Sequence, residues 1–148
     1  MSLFDEIRRS WVKSTPEEKV RQMWLHHMVH RLHFPKELIA VEKSLKELPH
    51  LSCLPVPDRR LDVLCYANGI HPDHALYPLL LMECKRGEVD LRAANQVIGY
   101  NAFVKALFVA VVGKEQVCFG YFDSEKKKYV FEGRLPSYQE LLTWIKPS

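Results

Sequence analysis

Tyr77-Pro78-Leu79-Leu80-Leu81-Met82-Glu83-Cys84-Lys85 is almost wholly apolar until its last three residues, where an acid and a base appear abruptly. A nearly continuous apolar run of this length predicts a central strand covered on both faces. Charge that begins at the carboxyl end of such a strand marks a common position for sites in α/β folds. Upstream, Arg60 to Ala67 alternates and predicts a partner strand. Asn68 to Ala75, with Gly69 and Pro72, predicts the turn between them. Asp62 and Glu83 are 21 positions apart (83 − 62), and their midpoint falls at 72 to 73, inside that turn. A hairpin folded there sets the two acids nearly opposite each other. Lys85, two residues beyond Glu83, shares its face.

The flanking segments predict the rest of the layout. Thr15 reads as an N-cap, with Pro16 at the first helical position and Glu17 and Glu18 in the first turn. Val20, Trp24, Met28 and Leu32 follow at near-helical spacing, and Pro35 ends the helix. Leu38 to Val41 predicts a first strand, and Pro49 to Asp58, with three prolines, a loop. After Gly87, Asp90 caps a helix predicted to run to about Lys105, and Ala106 to Val112 predicts a buried strand. Gln116 to Asp123 and Lys128 to Glu132 predict a hairpin, and Ser137 to Ile145 a final helix. The order is that of a mixed α/β domain in which a hairpin feeds a strand-helix-strand crossover. One domain spans 1–148, with a core over about 15–112 and a C-terminal hairpin and helix over 113–148.

Composition narrows the class. The 148 residues are 47% hydrophobic and 26% charged with a formal net charge of +3, which excludes a disordered or fibrous chain. The longest apolar runs, Leu79 to Met82 and Ala106 to Val112, are far short of the roughly 20 residues that span a bilayer. The first residues place acid where a secretory signal would place base, so the expected location is the cytoplasm. Four cysteines occur without a CxxC pair, and Cys65, Cys84 and Cys118 sit in apolar runs, as reduced buried thiols would. No Gly-rich phosphate loop occurs, so no ATP is expected on this chain.

Opposed carboxylates repel unless a proton or cation lies between them. Lys85 supplies part of that compensation. Mg²⁺, or Mn²⁺ in its place, supplies it better, because a hard ion prefers oxygen ligands and keeps its own waters. Such an ion can bind a phosphate oxygen and lower the pKa of water, with Lys85 steadying the charge that develops. The alternative reading is a cross-strand salt bridge of Lys85 with Asp62 or Glu83.

An aspartate opening one strand, a turn, an apolar strand ending Glu-x-Lys and then a helix resembles the PD-(D/E)xK nuclease superfamily. The likeness is closest to the N-terminal nuclease domain of type I restriction enzyme R subunits and its stand-alone relatives. It rests on Pro16-Glu17-Glu18-Lys19-Val20-Arg21-Gln22, Arg59-Arg60-Leu61-Asp62-Val63, Leu80-Leu81-Met82-Glu83-Cys84-Lys85-Arg86 and Gln96-Val97-Ile98-Gly99-Tyr100. The resemblance implies a restriction-endonuclease-like fold, a mixed β-sheet flanked by helices, and a Mg²⁺-dependent DNA endonuclease. It implies that Asp62 and Glu83 hold the ion, with the carbonyl of Cys84 as a further ligand and Lys85 as the catalytic lysine. Gln96 and Tyr100 match its Gln-x-x-x-Tyr motif and are implied beside the site, arranging it or the DNA. Glu17 matches the first-helix acid that approaches the metal in many relatives, and Glu18 competes for the same role; as a simple dipole partner of the helix Glu17 needs no such role. Leu61 stands where the superfamily name places proline. A domain that keeps the fold but only binds nucleic acid or another partner is the second expectation. Cutting both strands with one site per chain favours a homodimer.

Other features are weaker. His26 and His30 are at i, i+4 with His33 three further on, a spacing that can bind zinc, but no third ligand is evident and a solvated helix face is expected. Arg59-Arg60 and Arg86 adjoin the acid pair and can meet DNA phosphates, whereas Lys126 to Lys128 reads as a solvated turn. Trp11, Trp24 and Trp144 read as core rather than stacking platforms.

Overall fold

The computed structural model describes residues 1–145. Strands β1 (Ser2–Asp5) and β2 (Ser10–Lys13) pair antiparallel as a separate two-stranded ribbon. This ribbon was not expected from the sequence. Helix α1 (Pro16–His30) follows, capped as predicted: the Thr15 hydroxyl accepts from the Glu18 N–H, and Pro16 fills the first turn. Strand β3 (Ile39–Val41) is reached through a short 3₁₀ turn over Lys36–Leu38.

β4 (Val63–His71) and β5 (His74–Cys84) form the long hairpin at the heart of the domain. Its connection is tighter than the predicted Asn68 to Ala75 turn: His71 pairs with His74, so only Pro72 and Asp73 lie between. The turn-forming residues before it serve a bulge instead. The register shifts between Asn68 and His71, and Gly69 takes a positive φ of 70° there, a conformation glycine adopts without strain. α2 (Leu91–Val104) then crosses to β6 (Phe108–Val112), which pairs parallel with β5. β7 (Val117–Asp123) and β8 (Lys128–Glu132) form the second hairpin, and α3 (Tyr138–Trp144) closes the domain with a capping box between Ser137 and Glu140.

The main sheet has six strands in the order β3-β4-β5-β6-β7-β8, and β5–β6 is its parallel pair. Leu79 to Met82 and Val109 to Val112 are fully buried, which fits their position on the two central strands. Burial of these residues is what orders the carboxyl end of β5. Trp11 and Trp144 depart from expectation: Trp144, at the end of α3, is exposed, and Trp11 lies on β2, is 71% exposed, and packs edge-on to Phe4. A two-stranded ribbon has no second layer to cover its outer face, so its aromatic pair stays in solvent. Cys65 and Cys84 are buried free thiols, Cys118 is half-buried and Cys53 is exposed. No helix among the described residues is long and apolar enough to cross a membrane.

Candidate active site

The β4–β5 ladder runs Cys65 to Leu80, Leu64 to Leu81 and Val63 to Met82. One further step sets Asp62 across from Glu83, as the midpoint of the hairpin predicts. Asp62 is 8% exposed. Its Oδ2 accepts from the Cys84 N–H at 2.7 Å, its Oδ1 accepts from Arg21 Nη2 at 3.1 Å, and its carbonyl accepts from the Glu42 N–H at 2.9 Å. The acid is therefore fixed by the end of β5, by α1 and by the residue after β3.

Arg21 is only 4% exposed. Besides Asp62 it reaches Glu18 Oε1 at 2.7 Å through Nη1 and Glu42 Oε1 at 2.6 Å through Nη2. Burial opposes its charge, but the carboxylates of Asp62, Glu18 and Glu42 outweigh that and hold the guanidinium protonated. Glu42 adopts a positive φ of 55°, a costly backbone for a residue with a side chain, and that conformation aims both its N–H and its carboxylate at this cluster. Sequence reasoning gave Arg21 and Glu42 no role. One signal was available: Arg21, Leu25 and Met28 lie at i, i+4, i+7 on the buried stripe of α1, so a charge stands where an apolar residue belongs.

Glu83 has no comparable partner. Burial, then the charge of Asp62 and a hydrogen bond shared with it, push its carboxyl well above the ordinary carboxylate range, against the opposing pull of Lys85 and Arg21. The pair is short of positive charge on the Glu83 side, which faces an open cleft of about 560 Å³. Glu83, Lys85, Gln96 and Tyr100 line that cleft together with Arg59 and Arg60. Lys85 Nζ donates to Gln96 Oε1 at 3.3 Å. Gln96 and Tyr100 stand one turn apart on α2, whose start is capped by Asp90 accepting from the Ala93 N–H. The Arg59 guanidinium lies 4.8 Å from the centre of the Tyr100 ring. The Tyr100 hydroxyl is buried without a hydrogen-bond partner among the described residues, and burial with the nearby Glu83 charge pushes the phenol up.

Four residues expected at the site do not line this cleft: Asp62 and Cys84, both buried beside Glu83, and Arg86 and Glu17. Arg86 is exposed and does not line it. The Glu17 side chain is 54% exposed, sits 4.0 Å from Arg21 and lines a separate shallow depression with Glu18 and Glu42. Cys84 offers only its backbone, because its thiol is buried and burial keeps it protonated. An under-compensated, half-buried acid pair with oxygen donors alone fits a hard divalent ion. Asp62 retains a lone pair on each carboxylate oxygen after its two hydrogen bonds.

A mixed six-stranded sheet whose central hairpin ends in an acid pair, crossed by one helix and flanked by others, is a restriction-endonuclease-like fold. The family model described as Type I restriction enzyme R protein N terminus matches residues 16–136, and the chain belongs to that family. It is thus a restriction-enzyme-related, nuclease-like domain. No curated protein and no solved structure matches the chain significantly.

Proposed function

We propose that this chain is a Mg²⁺-dependent nuclease domain that hydrolyses DNA phosphodiester bonds at Asp62, Glu83 and Lys85. The observation that carries the reading is the acid pair itself: a buried carboxylate compensated by Arg21, and beside it an uncompensated one, Glu83, that lines a cleft together with the Lys85 ammonium. Asp62, Glu83 and the Cys84 carbonyl would hold the ion. Mg²⁺ bound there supplies charge neutralisation to a phosphate and a lowered pKa to water.

The chain's own groups do the rest. Gln96 holds Lys85 Nζ by its side-chain carbonyl and so fixes where the ammonium can stabilise charge on the scissile phosphate. Arg59 and Arg60 line the cleft and supply phosphate contacts that position the DNA backbone. Arg21 holds the Asp62 carboxylate in place from α1 and sets a fixed positive charge beside it. A second reading, a DNA-binding module without cleavage, has Arg21 on its side, since the guanidinium already neutralises Asp62 without a metal.

Titration with Mn²⁺ and nicking of supercoiled plasmid test the two readings together. The wild-type chain should bind the ion and nick DNA. Asp62→Ala should lose metal binding, and Lys85→Ala should keep metal binding but lose cleavage. DNA binding with neither metal uptake nor nicking in the wild-type chain supports the module instead.

A further inference from the structure

His26 and His30 lie one turn apart on α1, and their ring centres are 4.4 Å apart. The sequence showed no third partner, but the fold supplies one. Glu6, in the turn of the N-terminal ribbon, places Oε1 3.0 Å from His30 Nε2. One ligand atom from each of Glu6, His26 and His30 falls within 4.8 Å of the other two, and no other such cluster of His, Cys, Asp and Glu occurs among the described residues. Ligands of a tetrahedral zinc at about 2.0–2.2 Å lie about 3.3–3.5 Å from one another, so small rotamer changes close the cluster around an ion.

The backbone that carries Glu6 is held in place beforehand. Neighbouring Asp5 is fully buried and accepts from the N–H groups of Ile7 at 2.7 Å and Arg8 at 2.9 Å. Its other oxygen accepts from Gln22 Nε2 of α1 at 2.9 Å. These bonds pin the turn against the same helix that carries both histidines. Lys36 Nζ sits 3.0 Å from Glu6 Oε2, and both carboxylate oxygens face His30 Nε2, Oε1 at 3.0 Å and Oε2 at 3.3 Å. Two imidazoles and a carboxylate, with a fourth position open to water, make a donor set for a borderline ion and a poor one for Mg²⁺.

We propose that Glu6, His26 and His30 form a Zn²⁺ site that staples the N-terminal ribbon to α1, separate from the all-oxygen acid pair in the cleft. Binding to the folded state alone raises the melting temperature in proportion to the logarithm of zinc concentration. The test uses the full chain freed of metal with a chelator. Zinc is titrated against a chromophoric competitor, Co²⁺ serves as the spectroscopic probe, and melting is followed with zinc and with Mg²⁺. The expected result is one zinc per chain, Co²⁺ bands of tetrahedral strength, and a thermal shift with zinc that Mg²⁺ does not give. His26→Ala and His30→Ala, both at exposed positions, should each weaken zinc by at least about tenfold and remove the shift. Glu83→Gln and the His71→Ala/His74→Ala pair should leave zinc binding intact. Zinc uptake unchanged in the His26→Ala/His30→Ala double variant, or absent from the wild-type chain at a tenfold excess of zinc, overturns the site.

Discussion

Arg21 Nη2 lies 3.1 Å from Asp62 Oδ1, although 41 residues separate them. Both side chains are nearly excluded from water, so the pair is not a surface ion pair of negligible worth. Removing one partner of a buried pair leaves the other charge uncompensated, at a cost of about 3–5 kcal/mol. Arg21→Ala should therefore destabilise the chain by about that amount, because Asp62 and Glu42 lose their near counter-charge and Glu18 is left with Arg8 alone. Arg21→Lys keeps a charge but cannot fork, and should fall between the two. Urea unfolding measures both. An Arg21→Ala variant as stable as the wild type would mean that the acids find other compensation.

Lys85 and Gln96 give a second prediction, on function rather than stability. Gln96 is exposed and its contact with Lys85 Nζ is 3.3 Å, so its loss should move stability by no more than about 0.5 kcal/mol. On the proposed reaction, Gln96→Ala should slow plasmid nicking about 10–100-fold by letting the ammonium drift. Lys85→Ala should slow it about 10²–10³-fold. Neither variant should alter Mn²⁺ affinity. A Gln96→Ala variant that nicks at the wild-type rate would leave the 3.3 Å contact without a catalytic role.

What was legible in the sequence follows from the range of the forces involved. The β4–β5 register could be read because an apolar run and a turn are local patterns, and two-residue alternation then fixes which acids oppose. The latch of Arg21, Glu42 and Asp62 could not, because it joins three distant segments and depends on a positive φ at a glutamate, which no local preference announces. The N-terminal ribbon was missed for a related reason. Its four-residue strands are mostly exposed, and it is held by side-chain bonds from Asp5 and Arg8 rather than by an apolar face. Glu6 therefore came to the two histidines unforeseen. The acids of the first turn also look alike in sequence, yet Glu18 is buried between Arg8 and Arg21 while Glu17 stays in solvent.

That burial of Glu18, with Asp5, predicts an acid-labile N-terminus. Burial alone would raise both carboxyls, but the hydrogen bonds and charges of Arg8, Gln22 and Arg21 prevail and hold them below their ordinary values of 3.8 for Asp5 and 4.5 for Glu18. In acid the unfolded chain then binds more protons than the folded one, so stability rises with pH through this window. The contribution is complete above the ordinary values and is lost as pH falls through the lowered ones. Urea midpoints measured over a pH series should drop steeply below about pH 4.5. Asp5→Asn and Glu18→Gln should each flatten that slope, and each should cost about 1–3 kcal/mol at neutral pH through broken buried hydrogen bonds. Slopes equal to the wild type's would place the acid sensitivity elsewhere.

Tyr100 separates structural from functional need most cleanly. Its hydroxyl is buried and has no partner among the described residues, while Arg59 packs on the ring and the Glu83 charge is close enough to act on the phenol. A buried, unsatisfied hydroxyl costs about 1–3 kcal/mol, and Tyr100→Phe removes it while keeping the ring and its Arg59 contact. Thermal unfolding should accordingly show a Tyr100→Phe variant as stable as the wild type, or more stable by up to about 1 kcal/mol. Nicking should fall at the same time, because the phenol is a donor beside the acid pair that has not spent its proton on the fold. Sites of this kind hold unmet polar groups at the expense of stability. A variant that melts lower and nicks normally would reverse both halves, and would mark the hydroxyl as part of the packing.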